Sequence, residues 1–309
     1  MIEHQMASEL RTCPLTRGIF GLPRVWAPFT VLVMLGCSGA GTDAIGSGDA
    51  SAASDSSGGS SGSTTDDAGA AAKPVPTSGD TKGFKFAFTP NAVALDCNDS
   101  AAKMRASGAA QVTFGTSTVI AGYQQINGND QDPIVARFDG ETKVFCEHTK
   151  KGGGVDARAY GVTWDGKDTL YAVFTVVGGG TAFDAAAKGG WISSYGDGGA
   201  SAKVMVAGRL DARTGVLGQS TFVPSRLVKN GQKKTNTLTP ADAVHVLPDG
   251  TLEIFGNAAY CTLNPDQSSM CKDGSQDYPK GFRARFSPDF TKMVCASATG
   301  VSNVTTPCP

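Results

Sequence analysis

The chain has 309 residues, 27 of them basic and 28 acidic, with 18% charged overall and 40 glycines, nearly double the ~7% glycine of average usage. This balance excludes a coiled coil, a multi-pass membrane protein and a nucleic-acid binder acting through bulk positive charge. Residues 81–309 carry 23 basic and 20 acidic side chains, a surplus too small to call for a polyanionic partner.

In chain order, the first segment reads as an address. Arg11, Arg17 and Arg24 precede an apolar run of twelve residues, Val25 to Gly36. A membrane span needs ~20 apolar residues, so residues 1–36 are expected to be a signal peptide. Met34-Leu35-Gly36-Cys37 resembles a bacterial lipobox, which implies lipid on the Cys37 thiol and a lipid membrane as partner. Ser38 after it resembles the sorting signal of outer-membrane lipoproteins, implying a lipid-anchored envelope protein, periplasmic or outward-facing. Ser38 to Asp80 contains 10 Ser, 9 Gly, 9 Ala and 6 Asp, too little apolar surface to offset ordering entropy. Residues 37–80 are therefore expected to form the lipidated cysteine and a disordered tether, with a span of roughly 35 Å.

With Cys13 in the signal and Cys37 lipidated, six cysteines remain: Cys97, Cys146, Cys261, Cys271, Cys295 and Cys308. An even number in an exported domain implies disulfides, with 15 possible pairings. Cys261 with Cys271 is the direct assignment, because the nine residues between them close a short loop. Cys295 with Cys308 and Cys97 with Cys146 are then the local choices. No CxxC occurs, and the mature chain holds only His148 and His245, so no Cys/His metal site is expected.

Residues 81–309 are organised by a threefold repeat. Gln111 to Phe114, Gly161 to Trp164 and Ala243 to Val246 are β-rich, and each enters a turn. A second β-rich stretch follows: Thr118 to Ala121, Thr169 to Ala172, and Thr251 to Ile254. Second hairpins follow at Val135 to Asp139, Ala207 to Asp211 and Arg283 to Ser287, with returning strands Thr142 to Cys146, Gly215 to Phe222 and Thr291 to Cys295. Asp-Gly pairs between β-branched and aromatic runs supply hairpin chemistry. Each unit thus reads as four antiparallel strands, and Ala101 to Ala106 is the only helical turn expected.

This grammar, from about Gln111 to Ala296, resembles the blades of bacterial β-propeller repeat proteins. The resemblance implies an all-β, propeller-like domain; a large β-sandwich or barrel is the alternative. Only three units are legible where propellers use 4–8 blades, so Phe84 to Leu95 and the tail to Pro309 are candidates for a further partial blade.

Repeat insertions gather on one face, often the binding face. Two units carry long insertions, roughly residues 178–202 and 258–281. The first contains Trp191 and Tyr195, a candidate stacking platform for a sugar or protein partner if exposed, and a loop core if folded back. Thr113, Thr163 and His245 occupy equivalent positions and would line a central channel, His245 as the member titratable near neutrality. Arg137, Arg209 and Arg285 recur with the repeat and read as solvated or cross-strand partners of nearby acids. Asn127 to Asp132 and Asp273 to Asp277 alternate oxygen side chains as calcium loops do, without the full spacing. No cofactor is otherwise expected, nor any metal.

No GxSxG, HExxH or phosphate-binding glycine motif occurs. The leading expectation is a surface-tethered, non-enzymatic module for glycan or protein ligands, without nucleic acid. The rivals are a hydrolase or lyase of extracellular polymers using carboxylates from different repeat units, and a structural envelope lipoprotein.

Overall fold

Short runs that alternate apolar and polar residues become short antiparallel strands, and strands buried on both faces come from unbroken apolar runs. The structure, a computed structural model, describes residues 83–128, 130–149, 156–178, 181–196, 201–229, 232–272 and 279–309. The signal and tether expectations, including Cys37, lie outside the described residues, as does the acidic run Asp273 to Asp277. The chain opens with β1 (Lys85–Phe88) and α1 (Ala101–Arg105). Ser100 caps α1 by accepting the Lys103 N–H.

Each of the three repeat units folds as a four-stranded antiparallel meander. The first is β2 (Ala110–Phe114), β3 (Ser117–Asn127), β4 (Asp130–Asp139) and β5 (Thr142–His148). The second is β6 (Ala157–Trp164), β7 (Thr169–Val177), β8 (Lys203–Asp211) and β9 (Leu217–Val223), with the short helix α2 (Thr181–Ala186) between β7 and β8. After it come the hairpin β10 (Ser225–Lys229) and β11 (Gln232–Asn236), then β12 (Leu238–Pro240). The third meander is β13 (His245–Val246), β14 (Leu252–Ala258), β15 (Lys280–Phe286) and β16 (Met293–Thr299). The architecture is all-β.

The two termini do not build a further unit together. β1 adds to the second meander beside β6, with Lys85 opposite Trp164, and residues 300–309 form no strand. β12 joins the second and third meanders by pairing with both β8 and β14. A ten-stranded sheet results, and its pairing closes no barrel. β9 turns away from β8 at Pro224, which leaves Val204 open to pair with Leu238. β13 is shorter than the Ala243 to Val246 run expected, because the Thr163 hydroxyl takes the Val244 carbonyl at 2.5 Å.

Alternation along the first meander builds two cores. Val112, Val119, Ala121 and Val135 enter the main core shared with the other meanders. Ile120, Ile134, Ala136 and Phe138 face a satellite core roofed by Leu95, Ala101 and Met104. The β7 run from Leu170 to Val176 is buried throughout, as a central strand covered on both faces requires. Three disulfides form: Cys97–Cys146, Cys261–Cys271 and Cys295–Cys308. The assigned pair and both local choices are therefore present. α2 was not expected; its TAFDAA run holds one turn because Phe183 is fully buried against Phe174 at a centroid distance of 5.4 Å.

Candidate functional site

Two aspartate-capped turns set the geometry. In Asp266-Gln267-Ser268 the Asp266 carboxylate accepts the Ser268 N–H at 2.9 Å, and in Asp289-Phe290-Thr291 Asp289 accepts the Thr291 N–H at 3.1 Å. Glycine takes the middle, left-handed position of the equivalent turn at Gly250, φ 89°; here Gln267 (φ 65°) and Phe290 (φ 58°) are forced into it. Non-glycine residues held there carry strain of order 1–3 kcal/mol.

Both strained turns grip Trp191. Its N–H donates to Phe290 O at 2.8 Å, its indole Nε1 donates to Pro265 O at 2.8 Å, and its carbonyl accepts from Gln267 Nε2 at 2.7 Å. Its ring packs edge-on to Phe286 with centroids 5.8 Å apart. The two long insertions are thus bonded to each other. Trp191 and Tyr195 are only 8% and 6% exposed and belong to the main core, which corrects the open stacking platform: the aromatics fold back. Tyr195 donates its hydroxyl to Ala202 O at 2.6 Å, and burial raises its pKa.

Beside these rings lies a recess of about 200 Å³. Ser193, Ser194 and Gly196 come from the first insertion, Gln267 from the second, Pro224 from the β9–β10 junction, and Arg226 and Thr235 from the β10–β11 hairpin. Arg226 is carried by β10, whose backbone N–H at that residue bonds Cys261 O at 2.8 Å; the Cys261–Cys271 bridge therefore braces the arginine's strand. Arg226 and Thr235 are register partners and so share a hairpin face. Sequence reasoning missed these three residues. The signal was present in Asn230-Gly231, a hairpin dipeptide between two runs of strand-forming residues.

His245 does not line that recess. It is 7% exposed on β13, with its ring 4.2 Å from that of Phe86 and 5.2 Å from that of Phe255. Nε2 stands 3.2 Å from Asp242 Oδ2. Thr163 is beside it, opposite Phe86 in the ladder, whereas the Thr113 hydroxyl bonds Thr118 at 3.1 Å. β1 fills the space where these first strands converge: Lys85 Nζ donates to Thr113 O at 2.9 Å. A polar channel lined by the three side chains is therefore replaced by packed contacts around β1.

Two of the recurring arginines, Arg137 and Arg285, are paired with carboxylates. Arg137 bonds Asp139 at 3.2 Å and Ala212 O at 2.9 Å, and lies 5.0 Å over the Trp164 ring. Arg285 reaches its cross-strand partner Glu253 at 2.9 Å. Arg209, opposite Tyr171, lines a shallow recess with Asp168 and Asp211. The Asp211 carboxyl is held below its ordinary pKa by N–H donors from Arg213 and Thr214, the opposite of what a general acid needs. In the first candidate calcium run, Asp132 lies on β4 and is directed at His148, 3.7 Å away. Among the described residues, no group of three or more His, Cys, Asp or Glu side chains could hold a metal.

No family model matches the chain, and neither the curated proteins nor the solved structures contain a significant match.

Proposed function

We propose that this protein is a non-enzymatic binding module of the bacterial envelope, anchored through lipid on Cys37, whose ligand is a glycan docked in the recess between the two insertions. The observation that carries the reading is the clamped Trp191: strain is maintained at Gln267 and Phe290 to fix one wall of a polar recess. Preorganisation of this kind lowers the ordering cost of binding. Serine, threonine, glutamine and arginine side chains line the site, suited to a ligand rich in hydroxyl groups. About 200 Å³ is below the ~300–1,000 Å³ of drug-sized pockets, so one sugar residue of a longer chain would enter.

Three disulfides are consistent with an extracellular or periplasmic location, and no described helix is long and apolar enough to cross a membrane. A propeller-like relation of the three meanders is part of the same reading, supported by their shared strand order and the convergence of β2, β6 and β13 around β1.

The test is a glycan-array screen of the full chain, followed by Ser194→Trp and Arg226→Glu. Both should abolish the leading hit while the melting temperature holds within a few degrees. Unchanged binding in both variants would refute the site.

A further inference from the structure

The binding reading leaves His148 and Asp132 unused, and the structure places them at the Cys97–Cys146 bridge. Cys146 and His148 stand two residues apart on β5 and so share a face of the strand. Across the ladder that face meets Ala136 and Ile134 of the satellite core. Cys97 reaches the same place from the segment ahead of α1. His148 Nε2 lies 3.3 Å from Cys97 Sγ, and Nδ1 lies 3.7 Å from Asp132 Oδ2. The Asp132 side chain is 7% exposed and the imidazole 21%, so carboxylate, part-exposed ring and sulfur lie in line. Lys143 adds a positive charge beside it, donating from Nζ to Cys97 O. Glu147 is on the opposite face of β5 by the pleat, and Asp96 accepts the Asn98 N–H.

The other two bridges have no such neighbour. His245 is three strands from Cys295 across the β13–β16 ladder and stacks on Phe86. Among the described residues, only Cys97 has an imidazole at its sulfur.

We propose that Cys97–Cys146 is a redox-active bridge opened by small external thiols, with His148 as the acid–base group for the Cys97 sulfur and Asp132 holding the ring. An incoming thiolate attacks Cys146 Sγ, the Cys97–Cys146 bond breaks, and the electron pair leaves on Cys97 Sγ, which the imidazolium stabilises and protonates. A second thiolate then attacks the mixed disulfide. The attack is on the external sulfur, which departs as a small-molecule disulfide, and Cys146 leaves as a thiolate that takes a proton from solvent. Two thiols are oxidised for each protein bridge reduced. In reverse, His148 deprotonates Cys97, whose thiolate attacks the Cys146 sulfur of the mixed disulfide; the external thiolate leaves and the bridge is restored. Direction follows from leaving-group chemistry, since the better-stabilised thiolate departs first and a thiolate next to a cationic partner forms well below the free-cysteine value of ~8.5. The proposal holds whatever the recess binds.

The experiment exposes the oxidised full chain to reduced glutathione at pH 7, quenches with acid, and maps adducts by mass spectrometry. Glutathione is expected on Cys146 with Cys97 free, and His148→Ala should slow opening of this bridge at least tenfold while leaving the other two unchanged. Asp132→Asn should give an intermediate rate. Glutathione on Cys97, or a wild-type rate in His148→Ala, overturns the proposal. Should the variant fail to fold, the wild-type chain decides. After reduction, Cys97 is expected to react with iodoacetamide at pH 6 at least tenfold faster than Cys146, and equal rates reject the relay.

Discussion

Trp191 shows how much one side chain of the loop carries. Its three polar groups are bonded and its ring is packed on Phe286, so Trp191→Ala should cost about 3–5 kcal/mol, the range for truncating a buried aromatic. Chemical denaturation would measure it. Arg226→Ala, on the rim of the same recess, should stay within about 0.5 kcal/mol of wild type. The contrast separates wall from contact surface. Gly190 makes the point from the other side: a Cβ there would stand 2.3 Å from the Ser220 carbonyl oxygen, which is backbone and cannot rotate away. Gly190→Ala is expected to destabilise by about 1–3 kcal/mol, the overpacking range, again read by denaturant midpoint. Small and large are both required at this junction.

The aspartate-capped turn recurs at element scale, at Asp211, Asp249, Asp266 and Asp289. Donors hold each carboxyl below its usual range: the Arg213 amide at Asp211, the Thr251 hydroxyl at Asp249, the Ser268 hydroxyl at Asp266 and the Ser287 hydroxyl at Asp289. A carboxyl depressed by folding contributes fully above its unfolded value of ~3.9, and that contribution disappears as pH falls through the lower folded value. The melting temperature should therefore fall progressively below about pH 4, and Asn at all four positions, which keeps an acceptor without a charge, should flatten the profile. The bridges give a second element-scale test. By chain-entropy arithmetic a 49-residue separation is worth about 4 kcal/mol and a 10-residue one under about 3 kcal/mol. Replacing Cys97 and Cys146 by alanine should then lower the denaturation midpoint more than replacing Cys261 and Cys271.

The meanders were legible for the whole molecule because hairpin chemistry is local: Asp165-Gly166 and Asp249-Gly250 sit between runs such as Val162 to Trp164 and Leu252 to Ile254, and a turn with its flanking strands needs no distant information. The remainder depended on distant contacts. β1 carries an unremarkable Lys-Phe-Ala-Phe, and its place beside β6 is decided by which edge is open. β12 exists because β9 leaves β8 early. At the site, the insertions and their aromatics could be read from the chain, but the burial of Trp191 could not. Its partners are 74 and 76 residues away at Pro265 and Gln267, beyond any local pattern. The lipid anchor is tested at this scale too: labelled fatty acid should enter the wild-type chain and not Cys37→Ser, and label in the variant would remove the anchor from the reading.

The position of β1 also governs how the domain bears force. Its four residues pair with β6 through Lys85–Trp164, Phe86–Thr163, Ala87–Val162 and Phe88–Gly161. Lys85, in the first of these pairs, lies near the amino-terminal end of the described residues. A domain gripping a polymer while its amino-terminal side is held would pass tension into β1 ahead of any other described strand. Drawn along the strand axis, the four pairs are sheared together instead of being peeled apart one at a time. Phe86, stacked on His245, and Lys85, fastened to the Thr113 carbonyl, share that load with the third and first meanders. The strand that looks like an addition to the edge of one sheet thereby touches all three meanders.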